Sequence, residues 1–285
     1  MGALCQRMAE DLKLKNYAPG TRQEYLRCAR NFVSFHMRSP AQMGEREIRD
    51  FLLSLAFQKA SPEKLKMHVA SLKFLYATTL RRPEEIVALP WPKVPQRLPE
   101  ILGGREVDAL LGAVEPLIYR AVLMTAYGSG LRIREACSLQ VGDIDSKRKL
   151  IHVREGKRAR DRYVVLPERL LACLREYWRQ ARPPGPWLFS GGRAGRPVTP
   201  APVRMALSRA IRKAGIKKRV TPHVLRHSFA THLLESGTDI RVIQALLGHK
   251  SIRSTVRYTQ VSRAHVGRVK SPLDLLGKDS GRPLG

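Results

Sequence analysis

The stretch "TPHVLRHSFATHLLESG", residues 221–237, is predicted to form one helix. Thr221 is a typical N-cap, and Pro222 suits the first helical position. The first turn then carries His223 and Arg226 on neighbouring sides of one face. Unpaired N–H groups and the positive end of the helix dipole favour an anion there, so an imidazole and a guanidinium indicate a phosphate site. The alternative is a capping histidine beside an ordinary surface arginine, and this helix alone does not decide between them.

The rest of the same helix has a structural interpretation. Leu225 and Phe229 lie well away from His223 around the helix and are expected in the core. His227 and His232 are expected to pack or to be solvated.

The charge of the chain indicates the class of partner. Among 285 residues, 52 Lys and Arg stand against 24 Asp and Glu, which leaves a formal net charge of +28. Like charges repel and oppose compaction, so this surplus indicates a polyanionic partner, with nucleic acid preferred to an acidic membrane surface. No apolar run long enough for a membrane span or a signal peptide is present, and a cytoplasmic location is expected. Four widely separated cysteines, without a CxxC pair, predict neither a disulfide framework nor a zinc site.

Periodicity and proline content divide the chain into two domains. Residues 1–88 are predicted to form a four-helix unit, in which Thr21 opens the second helix through a capping box. The segment "LPWPKVPQRLP", residues 89–99, is too rich in proline for a helix and is interpreted as a stiff linker. Residues 100–276 are predicted to be mainly helical with one antiparallel hairpin, and residues 277–285 form a flexible tail. The expected fold class is mainly α, with a helical first domain and an α+β second domain that contains a small antiparallel sheet.

Two further motifs supply cationic side chains. In "GSGLRIREACSL", residues 128–139, Arg132 is predicted at a helix start after a glycine turn, where Glu135 could orient it. In the loop of the predicted hairpin, Lys157 lies beside Arg158 and Arg160. Such a tip is usually solvated, but it can also enter a DNA groove.

The last motif contributes a histidine and a phenol. His249 follows a glycine, and Tyr258 comes nine residues later. A surface tyrosine usually packs, and its ordinary pKa makes it a poor nucleophile unless cations and a base surround it.

Taken in order, these motifs resemble the tyrosine recombinase family, especially the Xer, integron and phage integrases. The resemblance covers about residues 1–276 and implies that the first domain is a SAM-like core-binding domain, which binds DNA. The fold that it implies is the DNA breaking-rejoining fold of the tyrosine recombinases. Six residues match the family's catalytic positions one by one: Arg132, Lys157, His223, Arg226, His249 and Tyr258.

The resemblance implies an activity and roles for these six residues. Tyr258 would attack phosphorus to give a 3′-phosphotyrosine, His223 would take or relay its proton, and Lys157 would protonate the departing 5′-oxygen. The two arginines would stabilise the five-coordinate transition state, with a further hydrogen bond from His249. The expected function is site-specific recombination through a Holliday junction, by which DNA is integrated, excised or resolved, as on a mobile genetic element.

The resemblance also implies partners, and no cofactor. Double-stranded recombination sites would be bound by four protomers, either identical or paired with a paralogous recombinase, and no membrane partner is expected. No metal is expected, because Asp143 and Asp145 are the only close acidic pair near the motifs and lie in a predicted turn. Two alternatives stay open: a DNA-binding accessory protein without cleavage activity, and a relaxing enzyme similar to type IB topoisomerases.

Overall fold

The structure, a computed structural model, describes residues 2–93, 100–154, 161–192 and 195–248, together with residues 251 and 255. The described chain forms two compact units, one up to residue 93 and one from residue 100 onward. Within those ranges, no helix combines the length and the apolar composition that a membrane crossing needs.

The N-terminal unit contains the four predicted helices. They pack around a core that includes the fully buried side chains of Phe32, Ile48, Leu72 and Tyr76. A π-helical turn, Leu75–Leu80, continues the fourth helix. The four helices are α1 (Gly2–Leu14), α2 (Pro19–His36), α3 (Glu45–Phe57) and α4 (Pro62–Phe74).

The starts of two of these helices test the capping predictions. Helix α2 begins at Pro19 with Ala18 at the N-cap, so the prediction that Thr21 opens it was wrong. A proline lacks the N–H that the first turn leaves unpaired and has a helical φ, so the helix extends back to it. For α4 the prediction is confirmed, since the Ser61 hydroxyl accepts a hydrogen bond from Lys64 N at 3.2 Å.

The C-terminal unit is mainly helical and contains one small sheet, as predicted. Its three strands are antiparallel in the order β1-β2-β3. The predicted hairpin forms β2 and β3, whereas β1 was missed because two residues are too short to show an alternating pattern. The predicted helix around 251–260 falls almost entirely outside the described residues. The elements are α5 (Gly104–Ala113), α6 (Leu117–Gly128), α7 (Ile133–Cys137), β1 (Ile144–Asp145), β2 (Leu150–Val153), β3 (Arg162–Val165), α8 (Glu168–Ala181), α9 (Pro200–Lys213), α10 (Pro222–Glu235) and α11 (Ile240–Leu247).

Helix α10 is fixed at the centre of this unit. Leu225 is fully buried and Phe229 is 7% exposed, as the sequence predicted. The buried Ser228 hydroxyl accepts a hydrogen bond from Leu102 N at 3.0 Å and donates one to Val224 O at 2.9 Å. The hydrogen bond from Leu102 therefore joins the second turn of α10 to the segment before α5.

Candidate active site

A tight turn between α6 and α7 brings the first cationic motif to the site. Gly130 has φ +65°, and a Cβ atom there would lie 2.4 Å from the Phe229 ring of α10. Only glycine therefore fits this backbone and its close approach to α10. The turn leaves Leu131 fully buried and places Arg132 at the N-cap of α7.

Glu135 orients Arg132, as the spacing of three residues predicted. Arg132 Nη1 donates to Glu135 Oε1 at 2.7 Å, and Arg132 N donates to Oε2 at 2.8 Å. The Arg132 side chain is 41% exposed, whereas that of Glu135 is 14% exposed. One carboxylate thus fixes both the backbone and the guanidinium of Arg132.

Arg226 reaches the same carboxylate from α10. Its Nη1 lies 3.7 Å from Glu135 Oε2 and donates to Gly130 O at 2.8 Å. Its Nη2 donates to Leu247 O at the end of α11. The side chain is 3% exposed, so Arg226 is a buried cation rather than the surface charge that the alternative interpretation required. The structure thus brings the motifs around residues 130–135 and 223–226 together.

Arg162, at the start of β3, is a third arginine in this cluster, and the sequence interpretation missed it. Its Nη2 donates to Glu135 Oε2 at 2.8 Å, and the side chain is 9% exposed. It follows the run of basic residues that was interpreted as a hairpin tip, either solvated or in a DNA groove. The signal that could have found it is the alternation along β3, because Arg162 and the buried Val164 share one face and the exposed Tyr163 lies on the other.

Arg162 and Arg132 keep the Glu135 carboxyl ionised. Burial by itself raises the pKa of the Glu135 carboxyl. The hydrogen bonds and positive charges from Arg162 and Arg132 outweigh burial, so its pKa lies below the ordinary value. In the part of the chain that the structure describes, the cluster consequently holds three guanidinium charges and one carboxylate charge.

His223 lies in the electrostatic field of the same cluster. Burial lowers the pKa of His223, and the positive charges of Arg226, Arg132 and Arg204 lower it further. Its imidazole is therefore neutral at neutral pH and can accept a proton. Arg204, an exposed residue of α9, was not singled out in the sequence.

The other two histidines of α10 have packing roles, as expected. The ring of His227 stacks on that of His223, with centroids 6.0 Å apart. The Tyr127 hydroxyl and His232 Nδ1 form a hydrogen bond of 2.9 Å.

Five of the predicted site residues cannot be located in the same way. Lys157, Arg158, Arg160, His249 and Tyr258 lie outside the described residues.

The acidic pair that was considered for a metal is held by other contacts. Asp143 Oδ1 accepts from Arg154 Nε at 2.7 Å, and its Oδ2 accepts from Gln140 N at 2.7 Å. Asp145 Oδ1 accepts two backbone N–H groups of the following turn. In the part of the chain that the structure describes, no group of three or more His, Cys, Asp or Glu residues could hold a metal ion.

Comparison with known proteins identifies the family. The phage integrase family matches residues 100–265, and the N-terminal SAM-like domain of phage integrases matches residues 4–86. An integrase/recombinase of Sinorhizobium fredii is 42% identical, with 99% of this chain and 92% of that protein covered. The tyrosine recombinase XerA of Pyrococcus furiosus is 35% identical, with 90% of each chain covered.

Solved structures agree with this identification. The crystal structure of XerA recombinase matches with a TM-score of 0.56 and 27% identity, covering 94% of this chain and 99% of that one. A lambda integrase dimer bound to a COC′ core site matches in fold, with a TM-score of 0.74, 18% identity, and coverage of 95% and 98%. These matches confirm the predicted fold class. The chain belongs to the phage integrase family and is a tyrosine recombinase, an enzyme of site-specific recombination.

Proposed function

We propose that this recombinase cleaves and rejoins double-stranded DNA through a 3′-phosphotyrosine at Tyr258 and a Holliday junction. The observation that carries the proposal is the gathering of Arg132, Arg162 and Arg226 around the single carboxylate of Glu135. Among the described residues, three positive charges face one negative charge, so this group of side chains is positively charged. A phosphodiester carries one negative charge, and attack on phosphorus adds a second in the five-coordinate transition state. A positively charged cluster stabilises the negative charge that develops during cleavage.

The two arginines of the family motifs have different tasks in this proposal. The side chain of Arg132 is 41% exposed, and its planar guanidinium donates hydrogen bonds to the non-bridging oxygens of the phosphate. Arg226, at 3% exposed and held by two carbonyl groups, contributes a fixed positive charge behind it. Because both are held before DNA arrives, little reorganisation is needed in the transition state.

His223 receives the proton of the attacking phenol, directly or through a relay. A neutral imidazole is the form that can accept it, and the lowered pKa of His223 supports this role. The proposed roles of Lys157, His249 and Tyr258 rest on their match to the family motifs. In the proposed step, Tyr258 forms a bond to phosphorus, and the bond to the 5′-oxygen breaks as Lys157 protonates it. The phosphotyrosine ester conserves the energy of the bond, so rejoining needs no external energy source.

DNA is proposed as the substrate on two further grounds. A net charge of +28 suits the phosphate backbone. Solved structures of the same fold include XerH bound to its difH substrate and the lambda integrase dimer on a core site. In this proposal residues 1–88 and 100–276, which are joined by the segment 89–99, bind the duplex from its two sides. Arg158 and Arg160 are proposed as further DNA contacts. Four protomers would exchange strands between two duplexes in the cytoplasm, on a mobile genetic element.

The test is covalent trapping on a suicide substrate, a duplex that carries the recombination site and a nick beside the cleavage position. The site can be found as inverted repeats in the DNA that flanks the gene. Loss of the short fragment released beside the nick prevents rejoining, so wild-type protein should accumulate as a covalent complex. The Tyr258→Phe variant should bind the same DNA without trapping.

The outcomes separate the proposal from its two alternatives. Binding to the site without any trapping by wild-type protein would indicate the accessory protein. Trapping, together with plasmid relaxation and no recombinant products, would indicate the topoisomerase-like enzyme.

A further inference from the structure

Arg162 lies outside every motif that carries the family resemblance, yet it is the most enclosed partner of Glu135 after Arg226. Its side chain is 9% exposed, against 41% for Arg132. An arginine on the core face of a short strand has to be compensated by acceptors, because an uncompensated buried charge is strongly destabilising.

Within the described residues, Arg162 donates to acceptors in two other parts of the chain. Its Nη1 and Nη2 donate to the two oxygens of Glu135 at 3.4 and 2.8 Å. Its Nε donates to Leu246 O in the last turn of α11 at 2.9 Å. A planar guanidinium can make these contacts together, whereas a lysine ammonium has no such fixed fork. The side chain therefore joins β3, α7 and α11.

Each of these contacts lies next to a group that the proposed chemistry uses. Glu135 binds both the backbone and the guanidinium of Arg132. In α11, Leu246 precedes Leu247, whose carbonyl group accepts from Arg226. The helix ends at Leu247, and Gly248 is its C-cap with φ +61°.

We propose that Arg162 is a positioning residue of the recombinase, which holds Glu135 and the end of α11 in the one arrangement that presents Arg132 and Arg226 to the phosphate. The inference rests on the proposed function and adds a residue to it. Arg162 does not touch the phosphate in this scheme and acts through Glu135 and Leu246.

The charge balance at Glu135 gives this role a measurable signature. Among the described residues, the charged groups that face its carboxylate are Arg132 from α7, Arg162 from β3 and Arg226 from α10. Among these, Arg162 does most to lower the pKa of Glu135, in opposition to burial. Without Arg162, less opposes the effect of burial on the Glu135 carboxyl, so the pKa of Glu135 rises. In wild-type protein the cleavage rate falls at acid pH as His223 becomes protonated. Without Arg162, Glu135 would become protonated at a higher pH than His223 and release Arg132, so the cleavage rate would begin to fall at a higher pH.

The experiment measures the single-turnover trapping rate of the full-length protein on the suicide substrate, as a function of pH and at saturating protein. Arg162→Met should lower the rate at neutral pH by about 100-fold, the scale expected when a catalytic group is misplaced by about 1 Å. The acid limb of its pH–rate profile, which is the fall in trapping rate at low pH, should move to higher pH. In Arg162→Met combined with Glu135→Gln, the titrating carboxyl is gone, so the limb should return to its wild-type position.

Arg82→Met is the matched control. In the N-terminal unit, Arg82 also donates to a glutamate, Glu85, and to backbone carbonyl groups, those of Ala41 and Met43. Its loss removes the same kinds of contact and should lower thermal stability without moving the pH limb. If Arg162→Met does not fold, Arg162→Lys takes its place. Lysine keeps the positive charge without the planar guanidinium, so the fall in rate at low pH should move in the same direction by a smaller amount.

The outcomes keep this inference separate from the proposed function. Absence of trapping by wild-type protein would overturn the proposed function. Trapping by wild type, with Arg162 variants whose rates and pH limbs match those of Arg82→Met, would overturn the positioning role alone. A limb that stays shifted in the double variant would also contradict it, because the effect would not pass through Glu135.

Discussion

Replacement of Gly130 by alanine should destabilise the C-terminal unit and slow cleavage together. The backbone at Gly130 has φ +65°, a conformation that costs an L-residue about 1–2 kcal/mol. The added Cβ atom would also lie 2.4 and 2.5 Å from two ring atoms of Phe229 and 3.2 Å from Leu247 Cδ2. Overpacking of a well-packed interior typically costs about 1–3 kcal/mol. The two effects lower the free energy of unfolding by about 2–5 kcal/mol.

The assay is thermal unfolding combined with trapping on the suicide substrate. At roughly 2–4 °C per kcal/mol for a domain of this size, the melting temperature should fall by about 4–20 °C. Cleavage should slow even well below the melting temperature, because Gly130 O is an anchor of Arg226.

Gly112→Ala provides the control for this substitution. Gly112 lies within α5, and a Cβ atom there would meet nothing within 4 Å. Alanine should therefore stabilise the protein by about 0.5–1 kcal/mol and leave cleavage unchanged. A Gly130→Ala variant that melts at the wild-type temperature and cleaves at the wild-type rate would refute this account of the turn.

Three further predictions concern a buried hydrogen bond, the protonation of His223 and the salt dependence of DNA binding. Ser228→Ala should lower the free energy of unfolding by about 1–3 kcal/mol in denaturant titrations, because the buried Leu102 N–H loses its acceptor. The control is Ser236→Ala at the exposed end of α10, which should leave the free energy of unfolding unchanged. The trapping rate should fall as pH drops through the lowered pKa of His223, below the ordinary histidine value, and His223→Gln should remove this limb; an unchanged limb would exclude His223 as the proton acceptor. DNA affinity should fall with salt with a log–log slope of about −7 if ~8 phosphates are neutralised, and a slope near zero would contradict phosphate-dominated binding.

The local parts of the site could be predicted from the sequence. Thr221 accepts from Val224 N at the start of α10, and Glu135 binds Arg132 three residues away. Both arrangements follow from helix geometry, which relates residues three apart in any helix of this kind. The same short-range rules found the strands β2 and β3 on either side of the basic loop.

The long-range parts of the site could not be predicted. Arg162 binds a glutamate 27 residues away and a carbonyl group 84 residues away, and Arg226 binds a carbonyl group 96 residues away. The alternation along β3 could have placed Arg162 on the same face as Val164, but spacing along the chain does not tell which helices that face meets, so Glu135 and Leu246 could not be predicted as its partners. The resemblance to a family compensated for this at the motif residues and could not do so for Arg162, which is not part of a motif.

The most direct test of charge neutralisation at this cluster uses a suicide substrate with a methylphosphonate at the cleavage position. The methyl group replaces a non-bridging oxygen and removes the negative charge that Arg132 is proposed to neutralise. Arg132→Ala should then fail to cleave the normal phosphate and should cleave the methylphosphonate at a rate close to that of wild-type protein. An Arg132→Ala variant that folds and binds the site, yet is as defective on the methylphosphonate as on the phosphate, would contradict the proposed role of the cluster.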